Sequence, residues 1–139
     1  AVLSRIMFGY ISDIIGPLKT LLIGSTLQMI TLILFIPFNS LTGLYIVSIL
    51  FGLSQGGIVP SYALIVKKYL PNKDAAERIG LIIFFTIIGM SIGGWMSGKI
   101  YDYTNSYSLG FLNSILWNLL NVIIIFYLFV SFKKSKISI

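Results

Sequence analysis

The chain has 139 residues, of which 57% are hydrophobic and only 10% charged, with a mean hydropathy of +0.97 and a net charge of +6. Soluble domains carry about 25% charged residues, and ten basic and four acidic side chains are too few to wet the surface of so small a globule. A water-soluble domain is excluded, as is a disordered chain, given 14% aromatic residues. With no cysteine and no histidine, disulfide scaffolds, thiolate metal sites, thiol nucleophiles and imidazole bases are excluded too, and neither cofactor nor metal is expected.

Ala1 to Ile11 are mostly apolar but too few to cross a bilayer, which predicts a partial helix over 1–11. The chain starts in mid-helix without Met and lacks the layout of a signal peptide, so it is expected to be a fragment whose upstream part is missing. Residues 20–66, between Lys19 and Lys67, carry no charge. One span needs about 20 residues, so this gap holds two. The turn cluster Pro37-Phe38-Asn39-Ser40-Leu41-Thr42-Gly43 separates them into 18–38 and 43–66. A third span is predicted at 79–98, between Arg78 and Lys99, and a fourth at 109–131, followed by a tail over 132–139. Unbroken runs such as Leu81-Ile82-Ile83-Phe84-Phe85-Thr86-Ile87-Ile88 lack the strict alternation of barrel strands. In lipid such runs must be helices. The predicted fold is an all-α, polytopic membrane bundle.

Eight cations fall on one side of these spans: Lys19, Lys67, Lys68, Lys73, Arg78, Lys133, Lys134 and Lys136. Lys99 stands alone on the other. By the positive-inside rule the first side is cytoplasmic, the C-terminus included. The excess of charge is thus set out for membrane lipid headgroups, and a nucleic-acid partner is not expected.

Because lipid tails are as apolar as leucine, close packing of such helices relies on small residues. Ser48, Gly52 and Gly56 form one stripe at i, i+4, i+8. Gly89, Gly93 and Ser97 form another, flanked by Gly94 and Gly98. Both are expected to be packing faces. Pro60 removes a backbone bond and clashes with the carbonyl of Gly56, which predicts a kink at Gly56–Pro60. Gln28, Ser54, Gln55, Asn118 and Asn121 fall near mid-depth. They are read as interhelical glue, with Ser54 and Gln55 also candidate solute contacts. Arg5 lies eight residues, about 12 Å along a helix, from Asp13. A cation at such depth costs on the order of 2.5–3.5 kcal/mol, and a guanidinium presents a planar fork matched to a carboxylate. Arg5 is therefore the first candidate to bind an anionic solute.

Gly9-Tyr10-Ile11-Ser12-Asp13-Ile14-Ile15-Gly16-Pro17-Leu18-Lys19 resembles the cytoplasmic loop signature of the major facilitator superfamily, with Ile14 in place of the usual basic residue. Four spans follow it, so it looks like the loop between helices 8 and 9. The chain then resembles the end of helix 8 through helix 12, the C-terminal portion of that fold. Leu3-Ser4-Arg5-Ile6-Met7-Phe8-Gly9, Phe51-Gly52-Leu53-Ser54-Gln55-Gly56-Gly57-Ile58-Val59-Pro60 and Gly98-Lys99-Ile100-Tyr101-Asp102-Tyr103-Thr104-Asn105-Ser106-Tyr107 resemble helices 8, 10 and 11 of the oxalate–formate antiporter and monocarboxylate transporter branch. In that last motif Asn105 stands where the branch carries Gly.

The resemblance implies a secondary transporter of small organic anions in a cell (inner) membrane, working by alternating access with an N-terminal half that is missing here. It assigns the carboxylate to Arg5 and a conformational latch to Gly9, Asp13, Gly16 and Lys19, with Asp13 drawing support from a helix N-terminus. Two groups of the branch have no counterpart: Ala1 stands at the position of an Asp, and the 79–98 span has no Lys. The alternative is a small multi-pass scaffold or channel subunit. An enzyme is not expected, because the spans hold no paired acids or base.

Overall fold

The computed structural model describes residues 2–38, 40–71 and 74–137, with side chains up to residue 132. Ala1, Asn39, Lys73 and the side chains of Lys133, Lys134 and Lys136 lie outside the described residues. Six helices follow one another: α1 (Val2–Ile15), α2 (Pro17–Leu34), α3 (Leu41–Gln55), α4 (Ile58–Tyr69), α5 (Ala75–Thr104) and α6 (Tyr107–Ile137). There is no strand among the described residues. Four segments are long and apolar enough to cross a membrane: Pro17–Leu34, Leu41–Tyr69, Ala75–Thr104 and Tyr107–Phe132.

Each break in the helical path has a local cause. Between α1 and α2, Gly16 adopts φ 91°, ψ 151°, a region open essentially to glycine alone. Its N–H still donates to Ser12 O at 2.9 Å, and Pro17 starts α2 where no N–H is needed. Replacing Gly16 by alanine should therefore destabilise the protein by about 1–3 kcal/mol, seen as a lower thermal midpoint in detergent, whereas Gly9→Ala, which meets open space, should cost less. Ser40 caps α3 by accepting from Gly43 N at 3.2 Å. The Leu41–Tyr69 span is broken at Gly56–Gly57. Pro60 has no N–H to return to Gly56 O, and the ladder resumes where Ser61 N donates to Gly57 O at 3.3 Å.

The last two helices extend beyond their apolar stretches. α5 starts before Arg78 and continues past Lys99, leaving only Asn105–Ser106 as the loop predicted over 99–108. α6 continues through most of the predicted tail, to Ile137. Hydropathy marks what lipid covers, whereas a helix ends at a stop signal, and no Gly or Pro lies between Lys99 and Asn105 or after Phe132. Asn105 supplies the stop. It sits in the left-handed region at φ 51°, and its N–H donates to Tyr101 O at 2.7 Å. Asparagine is the residue that best replaces glycine in that conformation, which accounts for its place in the motif.

α2 is the central helix, packed against α1, α3, α4 and α6. It runs antiparallel to α6: Gln28 meets Asn118, and Ser25 meets Asn121. α1 runs parallel to α3 and α4, with Ser4 Oγ donating to Leu53 O, Phe8 beside Gly57, and Gly16 beside Lys68. The core is Leu18, Leu21, Ile58 and Ile125. At one end Phe35 stacks on Phe111, centroids 4.9 Å apart, and meets Phe51 edge-on; at the other, Tyr69 stacks on Phe132. Some hydroxyls buried between helices bond back to their own backbone, as Thr20 does to Gly16 O and Ser61 to Gly57 O, so they cost little in an apolar interior. α5 lies at the edge against α4 and α6, with no buried residue.

Candidate functional site

α2 through α6 line a half-open cavity of about 670 Å³. Five amides reach its wall: Gln28 from α2, Gln55 from the last turn of α3, and Asn113, Asn118 and Asn121 from α6. No charged residue lines it among the described residues. Asn118 Nδ2 donates to Gln28 Oε1 at 2.9 Å and Asn121 Nδ2 to Ser25 Oγ at 3.2 Å. Asn118 Oδ1 and Asn113 Nδ2 are buried with no partner among the described residues.

The small-residue stripes are placed differently from expectation. A Cβ built at Gly52, Gly89, Gly93 or Gly98 meets nothing within 4 Å, so none of them seats another helix of this chain. Gly89 and Gly93 instead widen the cavity on its α5 side. The close approaches are made at Gly24 and Gly57, both against Phe8. Gly56 is buried at the α3–α4 break and Pro60 is half-buried one turn on. A stripe of glycines permits a neighbour without specifying one, and Phe8 carries no periodic signal that would have pointed to Gly24 or Gly57.

Arg5 lies away from this cavity. The packed face of α1 is Ser4, Phe8 and Ser12; Val2, Ile6 and Tyr10 lie on the opposite side, and Arg5, about 100° round the helix from Ser4, is exposed at the edge of the packed face. The bond from its neighbour Ser4 to Leu53 fixes its level near the middle of the 29-residue Leu41–Tyr69 span. The Arg5 backbone thus lies level with the middle of that span, and its exposed side chain is covered by none of the described residues. Ser54 is buried, its hydroxyl donating to Phe51 O at 2.8 Å, and it does not line the cavity as Gln55 does. Of the three candidate solute contacts, only Gln55 lines the cavity.

In the loop, Asp13 and Lys19 are exposed on either side of the Gly16 corner. Asp13 occupies the last turn of α1, while the N-cap of α2 is Gly16. The expected support from a helix N-terminus is therefore absent, since the nearer dipole end is negative. A second cation reaches this corner from α4: Lys68, whose Nζ lies 3.3 Å from the position of a Gly16 Cβ.

The sequence model of the Major Facilitator Superfamily matches residues 1–138. The chain belongs to this superfamily. It is therefore an integral membrane protein, and the family points to a transporter rather than an enzyme. This major facilitator chain is similar to monocarboxylate transporter 10 of Rattus norvegicus, at 29% identity over 116 residues, covering 77% of this chain and 21% of that protein. The chain spans about a fifth of the length of this curated relative. No solved structure matches it.

Within this major facilitator bundle, the Gln28–Asn118 bond ties the central helix to α6 at mid-span. Interhelical amide bonds in membranes are worth about 0.6 kcal/mol, at most about 1.7. A double-variant cycle of Gln28→Leu and Asn118→Leu, read by thermal unfolding in detergent, should return a coupling of that size. A coupling of zero would show the bond to be incidental.

Proposed function

We propose that this chain is the C-terminal part of a secondary transporter, from the end of helix 8 through helix 12, which carries small organic anions by alternating access. In this reading it belongs with the oxalate–formate antiporter and monocarboxylate transporter branch. The observation that carries this reading is Arg5, a mid-depth cation on a face of α1 left free by α2, α3 and α4. An ion placed there needs a counter-charge or water. A face turned to the cleft between two rocking halves offers both, and the carboxylate of a solute supplies the counter-charge. The printed name of the rat relative supports the same solute class.

In this reading the missing N-terminal half of the same chain covers the free face of α1, and lipid covers the outer faces of the bundle. The end bearing Lys19, Lys67, Lys68 and Arg78 faces the cytoplasm, as does the C-terminus. The Gly16 corner holds Asp13 and Lys19 out to latch onto the other half in one facing state, and the weak Gly56–Gly57 joint lets the α3–α4 span bend during the exchange. Gln55 and Ser54 take no direct part in gripping the anion.

Uptake of labelled lactate, pyruvate, formate and oxalate into proteoliposomes tests this reading. At least one should show saturable uptake and exchange for the same anion preloaded inside. Failure of all four, alongside uptake of an uncharged solute, would remove the anion assignment.

A further inference from the structure

The cavity between α2 and α6 is not part of the Arg5 site, and its chemistry differs from it. Its volume of about 670 Å³ is that of a small-molecule pocket, for which about 300–1,000 Å³ is typical. Its walls are mostly apolar, with Met90, Trp117 and Ile58 among them, and polar only at its few amides and hydroxyls. Asn118 is 9% exposed and has one amide atom bound by Gln28 and the other unmatched. Asn113 Nδ2, on the same wall, is unmatched too. Reversing both amides of the Gln28–Asn118 pair would exchange donor for acceptor on Asn118 and still leave one of its atoms without a partner. Lipid outside α5 and α6 offers no hydrogen bond, and a buried amide left unmatched is costly.

We propose that this cavity binds an uncharged organic molecule carrying both a hydrogen-bond donor and an acceptor on a small apolar body, such as a primary carboxamide. Its donor meets Asn118, its acceptor meets Asn113, and its body lies against Met90 and Trp117. A carboxylate is disfavoured, since it would enter with no cation to meet it. Water shares the donor–acceptor chemistry, so the test separates the two.

The sequence contains no cysteine, so Gly93→Cys places a single thiol on the cavity wall, where a Cβ meets nothing within 4 Å. Gly89→Cys on the same wall serves should the first variant fail to fold. The purified protein is treated with neutral methyl methanethiosulfonate or with its anionic sulfonatoethyl analogue, and rates are scaled to those of a free thiol. The neutral reagent should react at least tenfold faster, and propionamide should slow it at least threefold while propionate does not. Adding Asn113→Leu should abolish that protection. Phe85→Cys, on an exposed lipid-facing position of α5, should react without protection. Equal rates for the two reagents would make the cavity an anion route and overturn the proposal. So would reaction with neither, which would mean that only water enters, protection that survives Asn113→Leu, or a neutral reaction that propionamide leaves unslowed, which would mean that the cavity holds no site for an amide.

Discussion

Replacing Arg5 by alanine should cut kcat/KM for carboxylate uptake by about tenfold to a few hundredfold, the kinetic equivalent of a charge-assisted hydrogen bond worth about 1.5–3 kcal/mol. The protein itself should stay folded. Arg5 is exposed, and the buried residues that hold α1 to the bundle are Ser4, Phe8 and Ser12. Removing its charge from mid-depth also removes a cost on the order of 2.5–3.5 kcal/mol, so the thermal midpoint in detergent should hold or rise. Arg5→Lys keeps the charge but loses the planar fork, and its uptake should fall between wild type and alanine. Initial rates of labelled anion uptake decide the matter. Wild-type kinetics in the alanine variant would leave Arg5 as a headgroup anchor and require another ligand.

The spans were legible because their cause is local. A charge-free stretch of twice the bilayer length, with a turn cluster in its middle, admits little besides two helices. The soft point at Gly56–Gly57 followed equally directly from Pro60, because the missing N–H belongs to the residue itself. The stop at Asn105 was less visible: it depends on a left-handed backbone that a polar residue adopts only when the helix before it has somewhere to end. The polar positions were readable as a set, but their partners were not. Asn118 and Asn121 share a face of α6 by spacing alone, whereas the choice of Gln28 and Ser25 depends on the register of α2 against α6. Asn113 lies off that face, and its importance arises only once a cavity exists beside it. The glycine stripes left their neighbours open for a related reason. Spacing shows where a helix can be approached, and at Gly89 and Gly93 the described residues leave the approach open.

The strongest structural constraint in the bundle is at a glycine outside both stripes, and changing it should be the most damaging single substitution here. A Cβ on Gly57 would overlap Cγ, Cδ1 and Cβ of Phe8. Further along the same edge of the ring, a Cβ on Gly24 would lie 3.3 Å from Cε1. Phe8 is therefore seated against two glycines, each of which leaves room for the ring only by lacking a side chain. Gly57→Ala must push α1 off the α3–α4 joint or force Phe8 off its rotamer. Overpacking of this kind costs about 1–3 kcal/mol, and Gly57→Leu should prevent α1 from docking at all. The same joint is the proposed bend of the α3–α4 span, so transport should fall faster than stability. Phe8→Ala supplies the control. Each single variant should lower the thermal midpoint in detergent, but the pair should be more stable than their sum predicts, by about 0.5–3 kcal/mol, because the alanine at position 57 then enters the space the ring has left. Additive effects would mean that α1 is seated by Ser4 and Ser12 instead, with the ring merely resting against the joint.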